Sequence, residues 1–391
     1  MKKVLLGTSA IALAGAFASP AAAAEWEVRV GGYMEQYVAY GDPDVPGTSN
    51  NAAAPGPIGG DYSGIDSKQD SEIFFLPSIT LDNGIKIGAN IQLEGFQGGD
   101  QIDESYMQIK GSFGEILLGS ENSAGYKMTY AAPDVSMLNV NSGSTTAFIP
   151  YSGTLTGPAP TSASAIVGAD VFRGTLGTTF LENEGNNDAQ RFTYFSPRFA
   201  GFQIGASYAR DGRQDSNAQV DEDQELSNII DIGANYVNSF GDFNIAVSGR
   251  WGTADAPAGD NDDPTLWSAG ANLGYGGFTI GGSYAVQNKA ETESGRSWDA
   301  GVSYETGPWG FSFTYFNGEN QDDENATLNG IFVDEELEQF LLAARYKLAK
   351  GVALHAFGAY VDFDESLDDA GIAGGDDVDG FIIGTGVKIN F

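Results

Sequence analysis

Ile85-Lys86-Ile87-Gly88-Ala89-Asn90-Ile91-Gln92-Leu93-Glu94 is the stretch that decides the fold. Its odd positions are aliphatic, and its even positions are polar, charged or glycine. Successive side chains of a β-strand point to opposite faces, so a strand of this composition separates two media, one apolar and one aqueous. A helix would scatter the same residues around its circumference. The pattern recurs toward the C-terminus. Phe243, Ile245, Val247 and Trp251 oppose Asn244, Ser248 and Arg250, and Trp267, Ala269, Ala271, Leu273 and Tyr275 oppose Ser268 and Asn272. Phe340, Leu342, Ala344, Tyr346 and Leu348 oppose Gln339, Arg345 and Lys347.

The connectors alternate as well. Seven are short and rich in Gly, Asn, Asp and Pro, as tight hairpins require. They lie at Asp82 to Gly84, Gly111 to Gly114, Ser196 to Gly201, Ser239 to Asp242, Gly274 to Gly277, Glu305 to Gly310 and Leu348 to Gly351. Eight longer polar connectors fall between them, the third running from Glu121 to Asp188. Fifteen connectors join sixteen strands and put both chain ends on the short-turn side. We place the strand starts at Trp26, Ser71, Ile85, Glu104, Glu115, Gln190, Phe202, Asn228, Phe243, Thr265, Phe278, Ser297, Phe311, Glu338, Val352 and Val378. The expected fold is all-β: a closed, antiparallel transmembrane barrel with short periplasmic turns and long outer loops. The last strand must pair with the first, because an open sheet edge in lipid leaves backbone groups unsatisfied.

The ends and the composition agree with this. Lys2 and Lys3, the apolar run Val4 to Phe17 and the alanines after Pro20 have the order of a secretory signal peptide. Residues 1–24 are read as that signal, with cleavage expected before Glu25, and 25–391 as the barrel domain. No later stretch has the eighteen consecutive apolar residues of a spanning helix. Cysteine is absent, which excludes disulfides and thiol chemistry. Without Lys2 and Lys3, the 19 basic residues fall to 17 against 53 acidic ones, a net of −36. Nucleic acid is therefore not an expected partner, since phosphate binding needs basic patches. His355 is the sole histidine, with no second His, Cys, nucleophile elbow or phosphate loop to complete a zinc site or a triad. Catalysis is not expected.

Two segments carry a family resemblance: Phe113 to Met128, with Gly114-Glu115-Ile116-Leu117-Leu118-Gly119-Ser120 at its centre, and Arg191 to Tyr208, with Ser196-Pro197-Arg198-Phe199-Ala200-Gly201-Phe202. With the terminal Phe391, they make the chain similar to the general diffusion porins of proteobacteria, particularly the alphaproteobacterial type. The resemblance implies an outer-membrane channel for ions and small hydrophilic solutes, set among lipid and lipopolysaccharide and assembled as a homotrimer. It also implies that the third long connector folds into the lumen and narrows it.

On the alternation, Arg29, Lys86, Lys110, Arg250, Arg345, Lys347 and Lys388 face the lumen, as do Glu27, Glu35, Glu94, Glu104, Asp299 and Glu305. Chain direction places Lys86, Lys110, Arg345, Lys347 and Lys388 near the periplasmic mouth, with Arg29 slightly higher. Most carboxylates sit in the outer loops, so the channel should be negative outside and more positive below. The third connector carries Glu121, Asp134, Asp170, Glu182, Glu184 and Asp188 against Lys127 and Arg173. Once in the lumen, its carboxylates are expected to face wall residues such as Arg29 or Arg191. A mild cation preference follows from the acidic rim. A solute-specific channel, with a ladder of like charges or a stacked aromatic track, is the alternative. No cofactor is expected. The acidic loops leave room for calcium, which takes oxygen ligands: Gly375-Asp376-Asp377-Val378-Asp379-Gly380 is similar to a calcium loop but lacks the first EF-hand aspartate, and a solvated acidic loop is the better reading.

Overall fold

The computed structural model describes residues 25–45, 62–95, 101–150, 175–182, 188–214, 217–223, 225–257, 263–288, 293–322, 333–367 and 377–391. The signal-peptide reading of 1–24, Asp170, Arg173 and Glu184 of the third connector, and Gly375 and Asp376 of the calcium-loop reading lie outside these residues. Sixteen strands are present: β1 (Glu27–Asp44), β2 (Gly64–Thr80), β3 (Lys86–Glu94), β4 (Ile102–Gly111), β5 (Gly114–Ser120), β6 (Gln190–Phe195), β7 (Phe202–Asp211), β8 (Ser227–Phe240), β9 (Phe243–Asp255), β10 (Thr265–Tyr275), β11 (Phe278–Asn288), β12 (Glu293–Thr306), β13 (Trp309–Asp322), β14 (Val333–Ala349), β15 (Val352–Leu367) and β16 (Asp377–Asn390). Each pairs antiparallel with its sequence neighbours, and β16 returns to β1 to close the barrel. At that seam the Phe391 N–H donates to the Gly32 carbonyl at 3.1 Å, and the Gly32 N–H donates to Phe391 O at 3.1 Å. No edge remains to be satisfied by lipid. Among the described residues, no helix is long and apolar enough to cross a membrane.

The short connectors hold their strands in tight register. Gly276 and Gly277 join β10 to β11 with φ of +58° and +89°. Only glycine accepts two such angles cheaply, and this turn hand matches strand twist. The outward faces carry two rows of cross-strand aromatic pairs. The lower row includes Phe243–Tyr275 at 4.5 Å, Phe278–Tyr304 at 4.3 Å and Trp309–Tyr346 at 4.6 Å. The upper row includes Trp267–Tyr284 at 5.5 Å and Trp298–Tyr315 at 4.7 Å. On β10 the rows are eight residues apart, roughly 26 Å along the strand. After tilt, that suits the lipid-facing band of an outer-membrane barrel.

β2, β12 and β14 begin at Gly64, Glu293 and Val333, four to seven residues before the expected Ser71, Ser297 and Glu338. Their early residues lie beyond the upper aromatic row. Both faces there are polar, so the ladder continues without the alternation that betrays it within the membrane.

The largest core lies inside the barrel. Phe316 of β13, Leu337 and Leu341 of β14, Phe357, Val361 and Phe363 of β15, and Ile382 of β16 point inward and are buried. They pack against Val135, Met137, Leu138, Val140, Phe148 and Ile149 of the third long connector, 121–189, called L3 below.

Candidate conduction path

L3 leaves β5 and enters the barrel through α1 (Ala124–Met128), whose first turn is capped by Ser123 Oγ accepting from the Tyr126 N–H at 3.3 Å. It then sweeps along the inner wall strand by strand. The Ala124 N–H donates to Ser207 of β7 at 3.0 Å, the Tyr130 N–H to Ser248 of β9 at 2.9 Å, and the Ala132 N–H to Asp299 of β12 at 3.0 Å. The Val135 N–H reaches Ser312 of β13 at 3.1 Å, and Thr145 Oγ1 reaches Gln339 of β14 at 2.6 Å. Phe148 ends on Tyr37 of β1, ring centroids 6.1 Å apart. Residues 175–182 form a second limb on the same wall: Ser297 Oγ donates to Thr178 O at 2.8 Å, and Gln287 Nε2 to Glu182 O at 3.2 Å. Inward-facing glycines give the loop backbone room. A Cβ on Gly270 of β10 would stand 1.7 Å from the Tyr130 carbonyl oxygen, so no other residue fits beneath L3 there.

The base of L3 is a buried ionic cluster. Arg250 of β9 has a side chain only 1% exposed, and its Nε donates to Asp231 of β8 at 2.7 Å. Its Nη2 donates to Glu182 at 3.3 Å and to Ser123 Oγ at 2.9 Å. Glu121 pairs with Lys127 at 2.7 Å. Asn122 Nδ2 donates to both Glu104 and Asp188 at 3.1 Å. Further along, Asp134 accepts from Ser312 Oγ at 2.6 Å, and burial pushes its carboxyl above the usual carboxylate range.

L3 therefore covers the wall from β7 round to β1. Among the described residues, L3 leaves most of the inner face of β2, β3 and β4 half-buried, with Glu104 buried beneath Asn122, and this is the wall that faces water. Its upper part is acidic. Ile91 opposes Ser105 while Leu93 opposes Ile102, so β4 carries one residue more than β3, and Asp103 and Glu104 both stand opposite Gln92. Such a bulge re-aims side chains, here toward the lumen. Carboxylate oxygens of Glu72, Glu94 and Asp103 lie within 4.8 Å of one another, a set of hard donors suited to a cation. Tyr33 donates to Asp70 at 3.1 Å and to Glu72 at 2.8 Å, and Glu35 pairs with Lys388. Below is a neutral stretch, with Asn90 Nδ2 donating to Tyr106 OH at 2.9 Å. Lower still, Arg29 and Lys86 line one recess with Ser78, Asn90, Tyr106 and Gln108, and Lys110 opposes Lys86 in the ladder.

A closed barrel of sixteen strands with its third loop inside narrows the choice of family, and sequence settles it: the family model for Gram-negative porins matches residues 8–366. The chain belongs to that family. It is an outer-membrane diffusion channel and not an enzyme. No curated protein matches this porin by sequence. Solved structures share its fold at low identity. The anion-selective porin of Comamonas acidovorans is 18% identical, with 94% of this chain and 100% of that one covered and a TM-score of 0.57. A loop-deleted OmpT, an outer-membrane protein of Vibrio cholerae, is 12% identical, with 94% and 99% covered and a TM-score of 0.57. OmpF of Salmonella typhi is 14% identical, with 92% and 97% covered and a TM-score of 0.52.

Several residues expected to line the water of this porin stand elsewhere. Arg191 and Arg250 are buried with the base of L3, because Asp188, Glu182 and Asp231 gather around them. The expected facing of L3 carboxylates and wall arginines is met at Arg191, beside Glu182 and Asp188, but as a buried contact rather than across the channel, and it is not met at Arg29 among the described residues. Glu121 is spent on Lys127 and Asp134 on Ser312, while Arg29 lies low on the wall, 4.0 Å from Glu27. Lys388 stays near the lower mouth, as chain direction placed it, opposite Ala353 just past the β14–β15 turn, and on its other side it opposes and pairs with Glu35 of β1. Arg345 and Lys347 share Glu305 at 2.7 and 3.1 Å. Lys86, Glu94 and Lys110 lie on the half-buried wall, with Lys110 3.3 Å from Glu115. Asp70, Glu72 and Asp103 were missed. Asp70 falls in the early part of β2, Glu72 lies just inside its expected start and was overlooked there, and Asp103 depends on a bulge that a strict period of two conceals.

Proposed function

We propose that this porin passes small hydrophilic solutes with a modest preference for cations, and that the preference is set beside L3 as well as at the outer rim. The observation that carries the reading is the acidic upper wall: Asp70, Glu72, Glu94 and Asp103 converge on the inner face that the described residues of L3 leave half-buried. A wall of one sign raises the local concentration of counter-ions. At ~0.1 M salt the Debye length is ~10 Å, so charges at a narrow section reach a passing ion while wide outer loops act weakly. The anion selectivity named for the Comamonas protein does not transfer, since 18% identity carries only the fold. Reversal potentials under a KCl gradient test the proposal. Potassium should be favoured over chloride, most strongly at low salt, and Glu94→Gln with Asp103→Asn should reduce the preference. A stable anion preference at low salt refutes it.

The same row of like charges favours a second reading, a channel specific for basic solutes. Flux of such a solute that saturates at low concentration, together with block of ion current, would distinguish it from free diffusion. For assembly we propose a homotrimer within outer-membrane lipid and lipopolysaccharide, in line with the trimer form in which Vibrio cholerae OmpT has been solved. A detergent complex with three times the protein mass of one chain is the expected result.

A further inference from the structure

The exposed wall carries its charge in two belts at different depths. On β3, Lys86 and Glu94 are eight residues apart, roughly 26 Å along the strand. At the usual tilt of outer-membrane barrels, that is about 20 Å in depth. The ladder places the other charges at the same two levels. Glu72 opposes Glu94, and Asp103 and Glu104 flank Gln92. Lys110 opposes Lys86, and Arg29, opposite Leu76 and so about four residues up the ladder, reaches into the same recess. Between the belts the inward side chains of β3 and β4 are uncharged: Asn90, Gln92, Tyr106 and Gln108. Ion pairs neutralise Asp66 with Lys68 and Glu121 with Lys127 in the upper half, and Glu35 with Lys388 across the β1–β16 seam. The balance of the upper half is then set by Asp70, Glu72, Glu94 and Asp103, and stays negative even where close carboxylates share a proton. In the lower half, Glu27 and Glu115 stand near Arg29 and Lys110, and Glu305 near Arg345 and Lys347. Lys86 makes no ion pair among the described residues, and the five cations outnumber the three carboxylates.

We infer that this porin is a rectifier: its acidic upper belt and basic lower belt form a fixed-charge junction along the conduction path, and current is larger when the outer side is positive. The sign follows from which ions each belt concentrates. With the outer side positive, cations are driven inward through the acidic belt and anions outward through the basic belt. Each species enters where it is enriched, so both accumulate between the belts and conductance rises. Reversing the voltage drives each species in through the belt that excludes it, and the middle is depleted. At ~0.1 M salt the ~10 Å Debye length is shorter than the separation of the belts yet reaches well into the pore, so they act as separate elements. At 1 M it is ~3 Å, and the asymmetry should vanish.

The inference rests on the acidic-wall reading above, and the experiment separates the two. The chain has no cysteine, so a single Asp221→Cys in an outer loop can be biotinylated and the orientation of each inserted channel read by streptavidin added to one side. Current–voltage curves in ~0.1 M KCl should then show roughly 1.5-fold more current with the outer side positive, the charge asymmetry being only partly screened. Arg29→Gln with Lys86→Gln should erase the asymmetry and deepen cation preference, and Lys86→Glu should do the same by a single change. Symmetric currents in a cation-preferring wild type overturn the rectifier and leave the selectivity reading intact. Symmetric currents with anion preference overturn both. Asymmetry that survives Lys86→Glu also overturns it, since the lower belt would then not be its source.

Discussion

Arg250 shows how an inward-facing charge can serve structure rather than flow. Alternation assigns it correctly to the inner face of β9, but alternation is silent about what covers that face. Its partners, Asp231 and Glu182, lie far away in sequence on β8 and on the returning limb of L3, and no local pattern links them. Removing one member of a buried ionic cluster strands the others, at a cost of about 3–5 kcal/mol. Arg250→Met should therefore lower the denaturant midpoint of the barrel and raise current noise as the base of L3 loosens. Adding Asp231→Asn and Glu182→Gln should recover most of the stability. A variant that keeps wild-type stability and quiet current would show that the cluster does not hold the loop. Lys86 is the contrasting case: it is equally inward-facing, but half-exposed and without an ion pair among the described residues.

At the scale of elements, the strands were legible wherever one face meets lipid and the other water, as in β3 and β10. They were less legible at the upper ends of β2, β12 and β14, where both faces are polar. β14 to β16 carried a further signal. Leu341 and Ala343 alternate with Leu342 and Ala344, and Phe357, Val361 and Phe363 are apolar on a face that should be wet. Strands apolar on both faces announce that something covers their inner side, and L3 is that cover. The β4 bulge is the opposite case, since a single extra residue is invisible to periodicity yet aims the Asp103 carboxylate at the path. Deleting Asp103 restores one-to-one pairing with β3. The barrel should still close, with its strand-rich circular dichroism unchanged, while the potassium-over-chloride permeability ratio falls by roughly half as the local counter-ion excess drops. An unchanged ratio would assign selectivity to the outer rim.

The whole molecule is a barrel with its principal core inside its own lumen, displaced toward β13–β16 and β1. That leaves an eccentric passage along β2–β4, consistent with the inward side chains buried elsewhere. It also gives L3 a second attachment that a constriction alone would not need. Phe148 sits on Tyr37 and against Gly41 of β1, while Ile149 reaches Gly380 of β16, so the loop straddles the seam where the first and last strands meet. That seat does not exist until the seam has formed, so L3 docks after closure and contributes little to the folding transition state. Interactions made that late act on the rate of escape from the native state rather than on the rate of reaching it. Phe148→Ala should destabilise by about 3–5 kcal/mol. It should speed unfolding roughly a hundredfold or more and leave refolding into detergent nearly unchanged. Slower refolding with unfolding unaltered would mean that the loop templates closure instead. If L3 does dock last, it also works as a bolt: it lengthens the lifetime of the closed barrel in the membrane, where no other protein element need guard the joint.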